Sequence, residues 1–414
     1  MKQVHTIVIG GGPAGLAAAI SARKQNVSVL LIEREEHLGG ILKQCIHDGF
    51  GLKHFKERLT GPEYAKRFID ELESLDIEVR LSSTVLQIQK KEYFLLDVLS
   101  QEGIERLSCT SLVLATGCRE RTGKQISIHG QRPAGIYTAG SAQYFMNILG
   151  HLPTKRCVIL GSGDIGLIMA RRLRLEGAEV LGVYEAKAEP SGLTRNILQC
   201  LQDYDIPLYL SHTVTRVFGD TRLNAVEITK VDEHMKPIPQ TSFIVECDGL
   251  ILSVGLIPEN ELAEKLSIPL DPRTKGPIVD QHFMSHLEGC FVCGNALHVN
   301  DLVDHVTHCA LLAGKNAALY EKKPHYDQDI QVKTGLAYFI PQKLRYPLED
   351  EKTCCYFRVN KTMKKAKLKI YNEQDLLFEK VFTNLKPPEM ENVEIESLRF
   401  KGARAIKVEM EEIV

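Results

Sequence analysis

The chain has 414 residues, a length that suggests about three domains. With 44% hydrophobic and 25% charged residues it has a globular balance, which excludes a disordered, collagenous or low-complexity protein. Fifty-one Lys and Arg against 53 Asp and Glu leave a net charge of −2, so no basic excess points to nucleic acid, and no apolar run approaches the ~20 residues of a membrane span.

Lys2-Gln3-Val4-His5 leads directly into a strand with no leader pattern before it, and the eleven irregularly spaced cysteines read as reduced thiols. A cytoplasmic location is therefore expected. Residues 6–9, Thr-Ile-Val-Ile, form the strand, and Gly10-Gly11-Gly12-Pro13-Ala14-Gly15 follows at once. A small-residue helix opens at Leu16, and a second apolar strand, Val27 to Ile32, ends in Glu33, 23 positions after Gly10. This is the strand, G-x-G-x-x-G, helix, strand, acid pattern of a dinucleotide-binding unit. Gly10 permits the tight turn, Gly12 lets backbone approach a pyrophosphate, and Gly15 lets the helix pack on the strand with its positive end toward the phosphates. Glu33 is placed to accept the hydroxyl protons of an adenosine ribose.

Cys45 is the only cysteine soon after Glu33, and it reads either as a sulfenic-acid-forming thiol or as a buried inert one. Thr60-Gly61-Pro62-Glu63 is a capping box for a helix through Leu75. Residues 78–114 read as a small β-meander whose last strand ends in Ala115-Thr116-Gly117, where a chain can turn beneath a cofactor.

The device then recurs as Val158-Ile159-Leu160-Gly161-Ser162-Gly163-Asp164-Ile165-Gly166, a helix from Leu167, and a strand Val180 to Tyr184 ending in Glu185, 24 positions after Gly161. Two complete copies imply two nucleotides. A carboxylate at Glu185 favours the free 2′-hydroxyl of NAD over the 2′-phosphate of NADP, although Arg195 is within reach in sequence. Residues 249–255 form another buried run ending at Gly255, and Gly289-Cys290-Phe291-Val292-Cys293-Gly294-Asn295 a third. Cys290 and Cys293 read as a redox pair or as packing cysteines. His282, His286, His298, His305 and His308 crowd one stretch, with His305 and His308 on one helix face; they read as a metal site or as polar neighbours of a bound cofactor and a domain seam, and no ligand motif is complete, so no metal is assigned. His305 is the candidate acid–base group, and Asn300 to His305 are candidate contacts for a bound cofactor or a partner. From residue 330 onward five strands are expected, at 354–359, 365–371, 376–383, 393–397 and 405–410.

With these motifs in place the sequence resembles the two-dinucleotide-binding-domain flavoproteins related to pyridine nucleotide–disulfide oxidoreductases. That resemblance implies an α/β fold with two Rossmann-like domains, the second inserted in the first: residues 1–120 and 255–328 for FAD, 121–254 for NAD, and 329–414 a small C-terminal β domain. It implies FAD at the first turn, NAD at the second, Val85 beside the adenine, Ala115-Thr116-Gly117 near the flavin, and Gly294-Asn295 at the ribitol, where Asn replaces the usual Asp. Leu38-Gly39-Gly40 through Gly51, Arg132 to Gly140, and Asn300 to Asp304 are similar to flavin/NAD subunits of multi-subunit dehydrogenases that oxidise glycerol 3-phosphate, opines or amines. This narrower likeness makes Gly40 a cofactor contact and implies a partner flavoprotein subunit that carries the substrate. Disulfide reductases of this fold need a second sulfur that Cys45 lacks. The alternatives are a stand-alone NADH oxidase or peroxidase using Cys45, and a protein that holds FAD without turnover.

Overall fold

The computed structural model describes residues 2–348 and 351–413. The chain divides into two compact units, one joining Met1–Cys118 to Pro258–Val414 and the other formed by Arg119–Ile257.

The first unit is built on a parallel sheet of the strands Glu78–Arg80, Val29–Ile32, Lys2–Ile9, Gly103–Leu114 and Cys290–Val292, in that order. Ile7, Val8, Leu30, Leu31, Leu112, Val113 and Phe291 are buried along these strands, the continuous apolar run expected of a sheet covered on both faces. The long Gly103–Leu114 strand does double duty. Its first half pairs antiparallel with Phe94–Ser100 in the expected meander, and its second half lies between Lys2–Ile9 and Cys290–Val292. The helices Pro13–Arg23 and Val303–Ala318 pack together so closely that a Cβ on Gly314 would lie 2.1 Å from the Ala18 carbonyl oxygen. The helix Gly61–Ser74 begins with the expected capping box: Glu63 N–H donates to Thr60 Oγ1, and Thr60 N–H donates to Glu63 Oε2 at 2.8 Å.

The second unit has its own five-stranded parallel sheet, ordered Ile136–Thr138, Gly249–Leu252, Arg156–Leu160, Glu179–Glu185 and Leu208–Leu210. Beside it lies a smaller sheet containing the antiparallel strands His212–Gly219, Leu223–Lys230 and Phe243–Glu246.

The C-terminal region corrects the expectation of five strands. Among the described residues eight are present, because Tyr326–Val332, Leu336–Ile340 and Lys343–Tyr346 precede the expected set. They form a five-stranded and a three-stranded sheet around a separate core that includes Phe339, Leu368, Ile370 and Val408. Among the described residues no helix is long and apolar enough to cross a membrane.

Candidate functional site

The two glycine turns are built alike from the backbone up. At the first, Gly10 has φ 108°, and a Cβ there would meet the Ala115 carbonyl oxygen at 2.3 Å; a Cβ on Gly15 would meet the Gly10 oxygen at 1.6 Å. At the second, Gly161 has φ 98° and would meet the Ser253 oxygen at 2.0 Å, while a Cβ on Gly166 would meet the Gly161 oxygen at 2.6 Å. The outer glycines of each motif are therefore demanded by the fold. The middle ones are not. A Cβ on Gly12 would find only the Gly40 Cα, at 3.8 Å, and one on Gly163 only Ser253 Oγ, at 3.7 Å. Without a side chain they leave the turn open to a close-approaching group.

Gly12 and Gly163 are also the N-cap residues of their helices, and neither helix start has a side-chain cap. Pro13 fills the first helical position of one, where a missing N–H costs nothing. The first-turn N–H groups of both helices, including those of Ala14 and Ile165, thus suit an external anion with the helix dipole behind them. This uncapped cradle, which a Cβ would fill, fits the pyrophosphate of a dinucleotide at both places.

Each predicted acid closes its turn. Glu33 is buried at the end of its strand, where Oε2 accepts from Gly11 N–H at 2.5 Å and Oε1 from Glu35 N–H at 2.8 Å. Glu185, equally buried, accepts from Ser162 N–H at 3.0 Å and Lys187 N–H at 3.1 Å, and also from Ser162 Oγ at 2.6 Å. Both carboxylates keep acceptor capacity for a ribose hydroxyl, Glu33 on either oxygen and Glu185 on Oε1, since its Oε2 already takes two donors. Arg195 is exposed on the Thr194–Cys200 helix, whose neighbour Asn196 donates to Asp164 Oδ1 at 2.7 Å. Gly40, with φ 53°, faces Gly12, and Val85 is buried on the Thr84–Lys90 strand, just past Ser83, whose N–H donates to the Glu33 carbonyl.

In the first unit Ala115 lies against Gly10, Thr116 Oγ1 donates to the Glu259 carbonyl at 2.6 Å, and Gly117 has φ 74° with open space where a Cβ would stand. Gly255, in the second unit, has the same openness at φ 98°. Gly294 packs beside Ala14 at the start of the first helix. The Asn295 amide oxygen accepts from Asn300 N–H at 3.0 Å, so this side chain organises the following loop.

Cys45 is 8% exposed, donates to the Ile41 carbonyl at 3.3 Å, and burial pushes its thiol up to about 12. A thiol held protonated is a poor nucleophile, so the geometry opposes the redox reading of this residue. Cys290 and Cys293 are likewise fully buried, and desolvation raises both thiols, Cys290 to about 12. All eleven cysteines lie outside disulfides.

His305 sits on the first turn of Val303–Ala318, 5% exposed, and Lys53 Nζ donates to its Nε2 at 2.9 Å. Burial first, then the Lys53 charge, holds it down to about 4. It is neutral at physiological pH with Nε2 facing the Lys53 ammonium, an arrangement that weighs against an acid–base role. The Asp304 carboxylate accepts from the N–H groups of Lys53 and His54 at 3.3 and 3.2 Å, tying that loop to the helix start. His298 is fully buried, held down to about 3 by burial, and approaches Tyr338 OH at 3.3 Å through Nδ1. His308 Nδ1 lies 3.0 Å from Tyr356 OH. Among the described residues no three His, Cys, Asp or Glu side chains gather as metal donors.

Sequence reasoning missed the contribution of the C-terminal region. Tyr338, Tyr356 and Arg358 all reach the 298–308 segment. The uninterrupted buried run Cys354-Cys355-Tyr356-Phe357 was the available signal, since a strand apolar on both faces must lie between two packed layers.

The pyridine nucleotide-disulphide oxidoreductase family model matches residues 4–311. Hydrogen cyanide synthase subunit HcnB of Pseudomonas protegens is 27% identical over 290 residues, covering 64% of this chain and 59% of that protein, so the chain spans about three fifths of this relative's length. Ferredoxin–NADP reductase of Lactococcus lactis is 24% identical over 302 residues, covering 72% of this chain and 87% of that protein. The solved thioredoxin reductase of Lactococcus lactis shares the fold with a TM-score of 0.64 at 19% identity, over 76% of this chain and 97% of its own. Two glycine turns, two closing carboxylates and a match through residue 311 agree, and the chain belongs to the pyridine nucleotide-disulphide oxidoreductase family, whose enzymes are FAD-dependent oxidoreductases of NAD(P)H.

Proposed function

We propose that the first turn, with Glu33, binds FAD and the second, with Glu185, binds NAD(H), and that the chain is an electron-transfer subunit beside a separate dehydrogenase of the glycerol 3-phosphate or amine type. Residues 1–120 and 255–328 form the flavin part in this reading, 121–254 the nicotinamide part, and 329–414 the appended β domain. The observation that carries it is the duplicated cradle: an uncapped helix start closed by a buried carboxylate that also anchors the turn. Bound together, FAD and NAD(H) supply hydride transfer between nicotinamide and flavin. The protein binds and orients. Gly12 and Gly163 admit the pyrophosphates, Glu33 and Glu185 take ribose hydroxyls, and Glu185 repels a 2′-phosphate. Asp304 and neutral His305 tie the start of the Val303–Ala318 helix to the loop at Lys53 and His54.

The subunit role is supported by the likeness to HcnB, itself a subunit of hydrogen cyanide synthase, and by the burial of Cys45. The reduced cysteines accord with a cytoplasmic location. Anaerobic titration with NADH and then NADPH, followed by the flavin absorbance, tests the cofactor assignment. Bleaching by NADH ahead of NADPH is expected. A bound flavin that neither nucleotide reduces would leave a protein that only holds FAD, and full turnover by the isolated chain on a small-molecule donor would remove the partner.

A further inference from the structure

We propose that the C-terminal β region is part of the FAD site's framework, with Arg358 the positioning residue that sets the 298–304 segment; this rests on the reading that the chain binds FAD. The strand Lys352–Val359 is a wall between two cores. Cys354 and Tyr356 pack into the core of the parallel sheet with Phe283, Leu297 and Val306, while Cys355 and Phe357 face the β region's own core.

From the end of that strand Arg358 turns its guanidinium toward the loop after Asn295. Its side chain is 14% exposed and donates to Asp301 Oδ1 at 2.5 Å, the Val299 carbonyl at 3.1 Å and Tyr338 OH at 3.2 Å, as well as to the Pro388 carbonyl. The other Asp301 oxygen accepts from Met390 N–H at 2.6 Å. Two residues of the loop are thus gripped from the β region by a planar fork whose several donors need fixed acceptors.

The gripped loop carries two polar atoms without a protein partner. His298 Nε2 and Asn300 Oδ1 are both buried and unsatisfied, although the other polar atoms of these side chains are used, by Tyr338 OH and by Asn295 and the His298 carbonyl. Buried polar atoms left bare are costly, and two within three residues mark a place where a polar group from outside the chain completes the network. The loop joins Gly294-Asn295 to the uncapped start of Val303–Ala318, the stretch that the FAD reading gives to the flavin. The β region, which the family match at 4–311 does not include, thereby serves the cofactor site by fixing the polar atoms that a cofactor must meet.

The test compares wild type, Arg358→Gln, Arg358→Lys and Asp301→Asn with Lys361→Gln, which breaks an exposed ion pair to Glu412 in the same region. FAD is the probe, with affinity read by flavin fluorescence, flavin environment by visible circular dichroism, and folding by melting of the apoprotein. Arg358→Gln is expected to weaken FAD binding about tenfold or more and change the flavin dichroism, a loss matching that of a charged hydrogen bond. Arg358→Lys recovers part of the affinity, Lys361→Gln changes nothing, and the melting temperatures stay close. If Arg358→Gln does not fold, Asp301→Asn, which keeps shape and loses only charge, gives the same reading. Wild-type affinity and dichroism in the Arg358 and Asp301 variants overturn the proposal while the FAD reading stands. A wild-type chain that binds no FAD ends both.

Discussion

The two glycine turns share a backbone but are closed by different means. At the first, backbone meets backbone: Gly40 lies against Gly12, and Glu33 is held by main-chain donors. At the second, side chains do the closing. Ser162 adds its hydroxyl to Glu185 and accepts from Ser191 N–H at 2.9 Å, while Asp164 accepts from Leu193 N–H at 2.8 Å and from Asn196. A turn closed by backbone is fixed by the fold and suits a group that stays. A turn closed by side chains of a neighbouring loop can be tuned residue by residue, which suits a nucleotide that comes and goes.

The largest test of that contrast is steric. Gly15→Ala forces a Cβ to 1.6 Å from a carbonyl, against 2.6 Å in Gly166→Ala, so the first should cost well over ~3 kcal/mol and yield no yellow protein, and the second about 1–3 kcal/mol. Gly166→Ala should keep its flavin and lose its response to NADH; flavin content and a melting curve measure both. Equal damage would erase the distinction.

Next in size, Glu185→Gln removes a charged acceptor from the second turn only. NADH binding should weaken about 10- to 100-fold and NADPH should gain on it, with flavin content unchanged. Flavin loss in this variant would mean that the two turns are not independent.

The units should also separate by pH. His298 and His305 of the first unit are held to about 3 and about 4, below the usual 6.5, so the unfolded chain takes up protons first as pH falls. Their contribution is whole above pH 6.5 and is lost as pH drops toward 4 for His305 and toward 3 for His298, on the order of 2 kcal/mol each by pH 5. Hydrogen exchange at pH 5 should loosen the first unit before Arg119–Ile257, and His305→Gln should flatten the trend. The smallest effect is expected from Cys45→Ser, since the Ile41 carbonyl can accept from a hydroxyl as well. Flavin reduction by NADH should be unchanged, and its loss would restore a redox role for the thiol.

What the sequence displayed, and what it concealed, follows from range. Glycines, helix starts and closing acids lie within one strand-helix-strand span, so spacing alone located Gly10 to Glu33 and Gly161 to Glu185. The first C-terminal strand, Tyr326–Val332, buries little but Ile330, and the next two are set off by Pro341 and Pro347, so polarity and prolines disguised them. The grip of Arg358 on Asp301 joins residues far apart in the chain, which no local period records. Neither does it record that Lys53 occupies the nitrogen of His305 that an acid–base role requires.

The interrupted first unit has a consequence for the order of assembly. Every strand of Arg119–Ile257 is contiguous, so that unit can complete itself as soon as it leaves the ribosome. The central sheet of the other cannot, because Leu112 waits for Cys290 and Ala18 waits for Gly314. The inserted unit is therefore built first. The cradle at Gly10–Gly15, whose two walls flank that unit in the chain, closes only after the second wall has been made.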